Sequence, residues 1–451
     1  MKSKLLNTLS LFDYILLGCS LILIVIGILF IYSAAIDMYG ALVAKHANEY
    51  INQIKYASIG IVLLVLASFI DYRRYIRYLP VLYLITVALL IIVHFCKIDS
   101  VSAHSWLVFR IGSRRFRLGQ PSEPAKLVFI MCLAVYLDRS KQEQPLKRFL
   151  IATLIMAIPA MLILVLQPDM GTALVFVAIF IFMCFVADIP LRYILFITFM
   201  GLFTVILAVL PVWQSFIYKK SLPILAILTN SKLRLIVIAS GTAISIIGVI
   251  GQILFKEKYY YWITYVASIF TICFIASWAA EAKVLDEYQK KRLVIFLDPY
   301  ADKEGFGYHL IQSLIAIGAG GFNGRGFLQG TQSHYQYLPT QSTDFIFSIM
   351  AEEWGFLGGV ILFALYVIML IRIMLIMKKT TNVYAMYVST GIFGMFLFHF
   401  IINVGMVMGI MPVIGIPLPF LSFGGSALIT QMVCIGILES IHYRRLDFSV
   451  Y

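Results

Sequence analysis

The chain has 451 residues, 61% of them hydrophobic and only 13% charged, with a formal net charge of +13 at pH 7. Soluble domains carry about 25% charged residues, so this balance excludes an ordinary soluble globule and makes the bilayer the solvent for most of the chain. The excess of 35 basic over 22 acidic residues falls in short loops between apolar runs. That is the pattern of a polytopic membrane protein, and nucleic acid is set aside as a partner.

Apolar runs approach the roughly 20 residues a helix needs to cross a bilayer. They are continuous rather than alternating, which disfavours a β-barrel. In chain order they predict helices near 13–34, 56–70, 79–96, 124–138, 150–166, 171–187 and 190–211. Two follow near 235–254 and 260–280, and three near 345–371, 384–405 and 422–441. The first run, Ile15 to Tyr32, is long enough to stay as a helix rather than serve as a cleaved signal. The expected fold is an all-α polytopic transmembrane bundle of about twelve helices, forming one membrane domain over 1–451.

Basic residues orient it. Lys2 and Lys4, Arg73, Arg74 and Arg77, Arg139, Lys147 and Arg148, Lys256 and Lys258, Arg372, Lys378 and Lys379, and Arg444 and Arg445 fall on one face. The positive-inside rule makes that face, and both termini, cytoplasmic. The opposite face then receives the segment 97–120 and a large extracytoplasmic loop, 281–344. Against the trend, the first of these carries Arg110, Arg114, Arg115 and Arg117. They read either as a basic loop lying on headgroups or as a site for phosphate or a partner protein.

Six cysteines (Cys19, Cys96, Cys132, Cys184, Cys273 and Cys434) lie in or beside apolar runs with no metal or disulfide spacing, and read as small core residues. The polar exceptions carry more. FLDPYADKEGFG, Phe296 to Gly307, places Asp298, Asp302 and Glu304 between long apolar stretches. Carboxylates so placed are costly and usually functional.

QPSEPAKL, Gln120 to Leu127, opens the fourth helix. Ser122 suits a capping role and Pro124 the first turn, while Glu123 and Lys126 share one face. They are either a helix-end ion pair or functional groups at the mouth of the bundle. In QPDMGTAL, Gln167 to Leu174, Asp169 is placed to cap the next helix.

The glycine-dense run Gly307 to Pro339 has no nucleotide-binding signature. It reads as helix packing and a re-entrant or surface loop, and no metal role is assigned to its lone His309 and His334. STDFIFSIMAEEWGFLGG, Ser342 to Gly359, sets Asp344 where it could cap a helix. Its Glu352 and Glu353 need a polar cavity or a partner. PVIGIPLPFLSFGGSALI, Pro412 to Ile429, is a broken segment of the kind tolerated at membrane depth where it lines a cavity.

Taken in this order, QPSEPAKL, QPDMGTAL, FLDPYADKEGFGYHLIQS, GTQSHYQYLP, STDFIFSIMAEEWG and GIPLPFLSFGGSAL resemble the SEDS (RodA/FtsW/SpoVE) family of bacterial cell-wall proteins over most of the chain. GTQSHYQYLP resembles its elongation members more than its division members. The resemblance implies a peptidoglycan glycosyltransferase of the cytoplasmic (inner) membrane that polymerises lipid II at the outer face. It also implies a class B penicillin-binding protein as transpeptidase partner, together with other proteins of the elongation complex.

The family's essential aspartate matches Asp302, which becomes the candidate general base. Lys303 stands where the family usually has proline, and the pair of helices at 235–280 reads as an insertion into a ten-helix core. Glu123, Lys126, Arg110, Arg117, Asp298, Gln312 and Asp344 are the candidate substrate-binding residues. A divalent cation, Mg²⁺ or Mn²⁺, is the cofactor such chemistry would use, and no protein metal-ligand set is assigned. The rivals are a lipid II flippase, a division or sporulation paralogue, and a scaffold that only positions the transpeptidase.

Overall fold

The computed structural model describes residues 12–44, 46–95, 105–111, 114–218, 222–279, 281, 287–302, 305–338 and 340–446. Each of the twelve expected helices forms. They are α1 (Tyr14–Ala34), α2 (Glu49–Phe69), α3 (Leu79–Phe95), α4 (Ser122–Arg139), α5 (Pro145–Leu166), α6 (Met170–Val186), α7 (Leu191–Trp213), α8 (Ser231–Phe255) and α9 (Lys258–Ala279). After α10 (Glu287–Ile295), α11 (Phe306–Gly320) and the short α12 (Thr331–His334) come α13 (Ile346–Lys379), α14 (Val383–Val407) and α15 (Gly425–Tyr443). Among the described residues nine helices are long and apolar enough to cross a membrane, and α3 and α6 are shorter apolar helices.

One element departs from an all-helical reading. Leu107–Ile111 and Arg114–Gly119 form an antiparallel hairpin, β1–β2, with Arg110 opposite Arg115 and Val108 opposite Arg117. Its signal is visible in hindsight: Phe116 and Leu118 alternate with Arg115 and Arg117.

The described residues divide into two compact units, 1–188 with 309–451, and 189–308. In the first, small residues let helices approach closely, as expected where lipid supplies no hydrophobic driving force. A Cβ on Gly436 of α15 would lie 2.5 Å from the Leu64 carbonyl of α2, and one on Gly391 of α14 would lie 2.5 Å from Ile130 of α4.

The two ends of this unit differ. At one, the Arg372 guanidinium forks onto Asp13 (2.7–3.0 Å), and the Asp13 N–H donates to Glu439. At the other end of α1, some 30 Å away for 21 residues, Ser33 donates to Glu353. The basic end is therefore opposite the end that carries the glycine-rich loop.

Two broken segments shape that second end. α13 is interrupted at Gly355, whose φ of 63° and ψ of −159° only glycine adopts readily. The gap admits the loop backbone: Phe356 and Leu357 donate to the Gly321 and Phe322 carbonyls, and a Cβ at Gly355 would lie 2.2 Å from Gly324 N. Between α14 and α15 the Pro/Gly-rich chain has its backbone satisfied by side chains. Asn403 donates to the Ile416 carbonyl (2.7 Å), Ser422 accepts from Leu418 N (2.8 Å), and Gln431 accepts from Phe420 N (2.8 Å). This is how irregular backbone survives at membrane depth.

Gly355→Ala should therefore destabilise the detergent-purified protein by about 1–3 kcal/mol of backbone strain plus the clash, read as a lower melting temperature. Gly359→Ala in the same helix, where a Cβ meets nothing within 4 Å, should be neutral or stabilising. Equal melting temperatures for the two variants would disprove the assignment.

In the second unit, α8 and α9 pack through a glycine face. A Cβ on Gly241 or Gly248 would lie 2.3 Å from the hydroxyl of Thr271 or Thr264. Tyr265 ties α9 to α7 by donating to the Arg192 carbonyl at 2.6 Å. Arg234 pairs with Glu281 at 2.8 Å and lies over the Trp278 ring.

Candidate functional site

In the second unit a 3₁₀ turn, Pro299–Asp302, follows α10; Asp302 ends it and Asp298 immediately precedes it. Both are half-exposed. Asp298 Oδ1 accepts from Tyr300 N at 3.0 Å and so starts the turn; Asp302 Oδ1 accepts from Gly305 N at 3.1 Å and closes it. There is no room for a side chain beside this carboxylate. A Cβ on Gly305 would lie 2.3 Å from Asp302 Oδ2, and one on Gly307 would lie 2.0 Å from the Pro299 carbonyl. Glycine at 305 thus leaves the carboxylate its space, and glycine at 307 allows the close approach to the Pro299 carbonyl. Neighbouring Lys303 and Glu304 lie outside the described residues.

In the first unit Glu123 and Lys126 meet, 2.9 Å apart, with Glu123 5% and Lys126 2% exposed. Burial turns a minor helix-end pair into an essential one, because either charge alone would be uncompensated. Sequence reasoning missed the third member. His399 on α14 faces Lys126 Nζ at 3.2 Å through Nε2, and its Nδ1 contacts the Met395 carbonyl at 2.7 Å. A carbonyl only accepts and an ammonium only donates, so the imidazole is the neutral Nδ1–H tautomer and accepts from Lys126. Nothing local in the apolar sequence of α14 marks His399 as a partner of a residue 273 positions away.

Ser122 does not cap α4 as expected. Pro121 occupies the cap position, and the buried Ser122 hydroxyl has no partner among the described residues. Asp169 does cap α6, accepting from Thr172 N at 2.9 Å and from its hydroxyl at 2.7 Å, and it also takes Gln120 Nε2 at 3.3 Å. Gln120 N in turn donates to Ser426 at the start of α15 (3.0 Å).

Asp344 is not the cap of α13 either, since Phe345 holds that position without a side-chain bond. Its carbonyl accepts from Asn403 Nδ2 at 3.0 Å, one turn along α14 from His399. The neighbouring Thr343 carbonyl accepts from Ser422 (2.6 Å), and Gln53 reaches the Ser422 carbonyl (3.2 Å). Polar groups from α2, α4, α6, α14, α15 and the 340–344 turn are thus knit together at one end of this unit.

Glu352 and Glu353, fully buried on α13, find their partner in the glycine-rich loop. Glu352 Oε1 accepts from Thr331 N (2.7 Å), the Thr331 hydroxyl (2.9 Å) and Gln332 N (3.0 Å), while Glu353 Oε2 accepts from Leu328 N (3.1 Å). These acids hold a loop rather than face an open site. His334 stands 3.8 Å from Glu353, and burial pushes its imidazole pKa down.

Gln312 is half-buried on α11. Arg110 and Arg117 are placed on β1 and β2 by backbone register alone, their side chains being outside the described residues. Among the described residues no group of three or more His, Cys, Asp or Glu is arranged to hold a metal ion.

The comparisons agree with this architecture. The cell cycle protein family model FtsW/RodA/SpoVE matches residues 13–254 and 215–446. The peptidoglycan glycosyltransferase RodA of Treponema pallidum is 44% identical over 435 residues, covering 96% of this chain and 98% of that protein. The peptidoglycan glycosyltransferase MrdB of Escherichia coli is 30% identical over 439 residues, with 97% of each covered.

Two solved structures share the fold. The rod shape determining protein RodA of Thermus thermophilus has a TM-score of 0.57 at 22% identity, covering 96% of this chain and 97% of that one. A chain from work on coordination of polymerization and crosslinking by a peptidoglycan synthase complex has a TM-score of 0.64 at 24% identity, covering 97% and 99%. A polytopic helical bundle matched by this family along nearly its whole length is a member of it: the chain belongs to the FtsW/RodA/SpoVE family.

Proposed function

We propose that the chain is a peptidoglycan glycosyltransferase that polymerises lipid II into glycan strands during cell elongation. The observation that carries this reading is the Asp302 carboxylate, half-exposed, braced by the Gly305 N–H and given space by the missing side chain at Gly305. The names of the relatives covering nearly all of the chain support it.

The acceptor sugar hydroxyl is a poor nucleophile near neutral pH and gains from a positioned base. Asp302 takes the hydroxyl proton as the hydroxyl oxygen bonds to the anomeric carbon of the donor. The bond from that carbon to the diphosphate oxygen breaks and its electron pair leaves with the diphosphate. One displacement converts an α-linked donor into a β-linkage. Charge developing on the diphosphate needs cations. Lys126 is assigned that role, held in place by Glu123 and His399, with Arg110 and Arg117 as further cations. Asp298, Gln312 and Asp344 are assigned to binding sugar or peptide groups of the substrate.

Mg²⁺ is usually held by one or two carboxylates together with substrate phosphates. Mg²⁺ or Mn²⁺ therefore enters as a variable of the test, and no step is routed through it. The proposal places the basic end of the first unit and both termini in the cytoplasm of a bacterial inner membrane, the chemistry on the outer face, and a class B penicillin-binding protein alongside as transpeptidase.

The test is reconstitution of the purified chain with its transpeptidase on lipid II, with Mg²⁺, Mn²⁺ or EDTA. Glycan ladders are expected, with loss in EDTA if a divalent ion takes part. Translocation of lipid II without polymer would overturn the enzyme reading in favour of a flippase.

A further inference from the structure

Away from the groups assigned above, the first unit carries a cleft of about 310 Å³ between α3, α4, α5 and the 3₁₀ turn Tyr72–Arg77. Its walls are Leu79, Pro80, Val135 and Ile155, and its polar members are already engaged. Tyr83 donates to the Ile155 carbonyl (2.7 Å), Tyr136 to the Arg148 carbonyl (3.3 Å), and Cys132 to the Leu79 carbonyl (3.5 Å). What remains is an apolar slot of ligand size with one charged residue in its lining, Arg139.

Arg139 ends α4 and is exposed, as are Arg74 and Arg77 on the adjoining turn. The acids close to them in the chain are taken. Asp138 pairs with Lys141 (2.8 Å), Glu143 with Lys147 (3.4 Å), and Asp71 accepts from Arg73 N (2.9 Å) and faces Arg444 (3.9 Å). Among the described residues none of these three arginines forms an ion pair. Uncompensated guanidinium beside an apolar slot fits one kind of occupant. The apolar lining suits an acyl chain, and the arginine fork matches a phosphate.

We infer that this cleft holds one anionic phospholipid, its acyl chain between α3, α4 and α5 and its phosphate on Arg139, with Arg77 and Arg74 supplying further positive potential. The inference is independent of the proposed chemistry.

Native mass spectrometry of the full-length protein, titrated with phosphatidylglycerol or phosphatidylcholine of matched chains, tests it. One phosphatidylglycerol should be retained in preference. Arg139→Ala should cut that preference about fivefold, the effect of one interfacial cation, and Arg139→Lys should keep much of it. Val135→Trp, which fills the slot without touching the charge, should abolish retention and keeps the test decisive if Arg139→Ala fails to fold. Equal retention of the two lipids, or phosphatidylglycerol held undiminished by Val135→Trp, would overturn the inference.

Discussion

Asp302→Ala is expected to reduce lipid II polymerisation by at least the ~10²–10⁴-fold that a positioned proton acceptor contributes, with the protein still folded and bound to its transpeptidase. The side chain is half-exposed and its bond to Gly305 N is local to one turn, so removing it costs little in packing. Binding of the transpeptidase without polymer would also exclude a scaffold role.

Gly305→Ala sharpens the experiment, since its Cβ would press on Oδ2 at 2.3 Å and must displace the carboxylate without removing it. Activity should fall here too, mainly in kcat. Near-normal ladders from Asp302→Ala would sink the base assignment. Full activity from Gly305→Ala would show that the carboxylate need not be held where the turn places it.

Lys126→Ala is expected to be the most damaging single change in the first unit. It strands Glu123 in a site where the pair is almost wholly buried, and breaking a buried pair costs about 3–5 kcal/mol. Loss of activity in that variant would not separate stability from chemistry. The double variant Glu123→Gln with Lys126→Met does, because it removes both charges together and such replacements are often neutral in stability. It should melt near the wild-type temperature and still make no glycan. Normal polymerisation by the double variant would reduce the pair to a structural strut. His399→Leu, which keeps the ion pair but removes the second acceptor of Lys126, should raise KM for lipid II more than it lowers kcat.

Most of the fold was legible because the bilayer demands it. A spanning helix must satisfy its own backbone and present about 20 apolar residues, so each hydrophobic run announced a helix, and α1 to α9 and α13 to α15 formed where expected. The costly acids were legible for the complementary reason, since Asp298, Asp302, Glu123, Glu352 and Glu353 break apolar surroundings. What each acid does was not legible. Glu352 and Glu353 have the same sequence signature as Glu123, yet they bind the backbone of a loop while Glu123 binds a lysine.

By itself the sequence determined the solvent, the helices and the identities of the costly charges, because these depend on composition and local periodicity. Only the tertiary structure decided who partners whom. The Lys126–His399 contact, the break at Gly355 that admits Gly324, and the Arg372–Asp13 fork join residues far apart along the chain. Such pairings are set by how helices pack, and no local pattern encodes them.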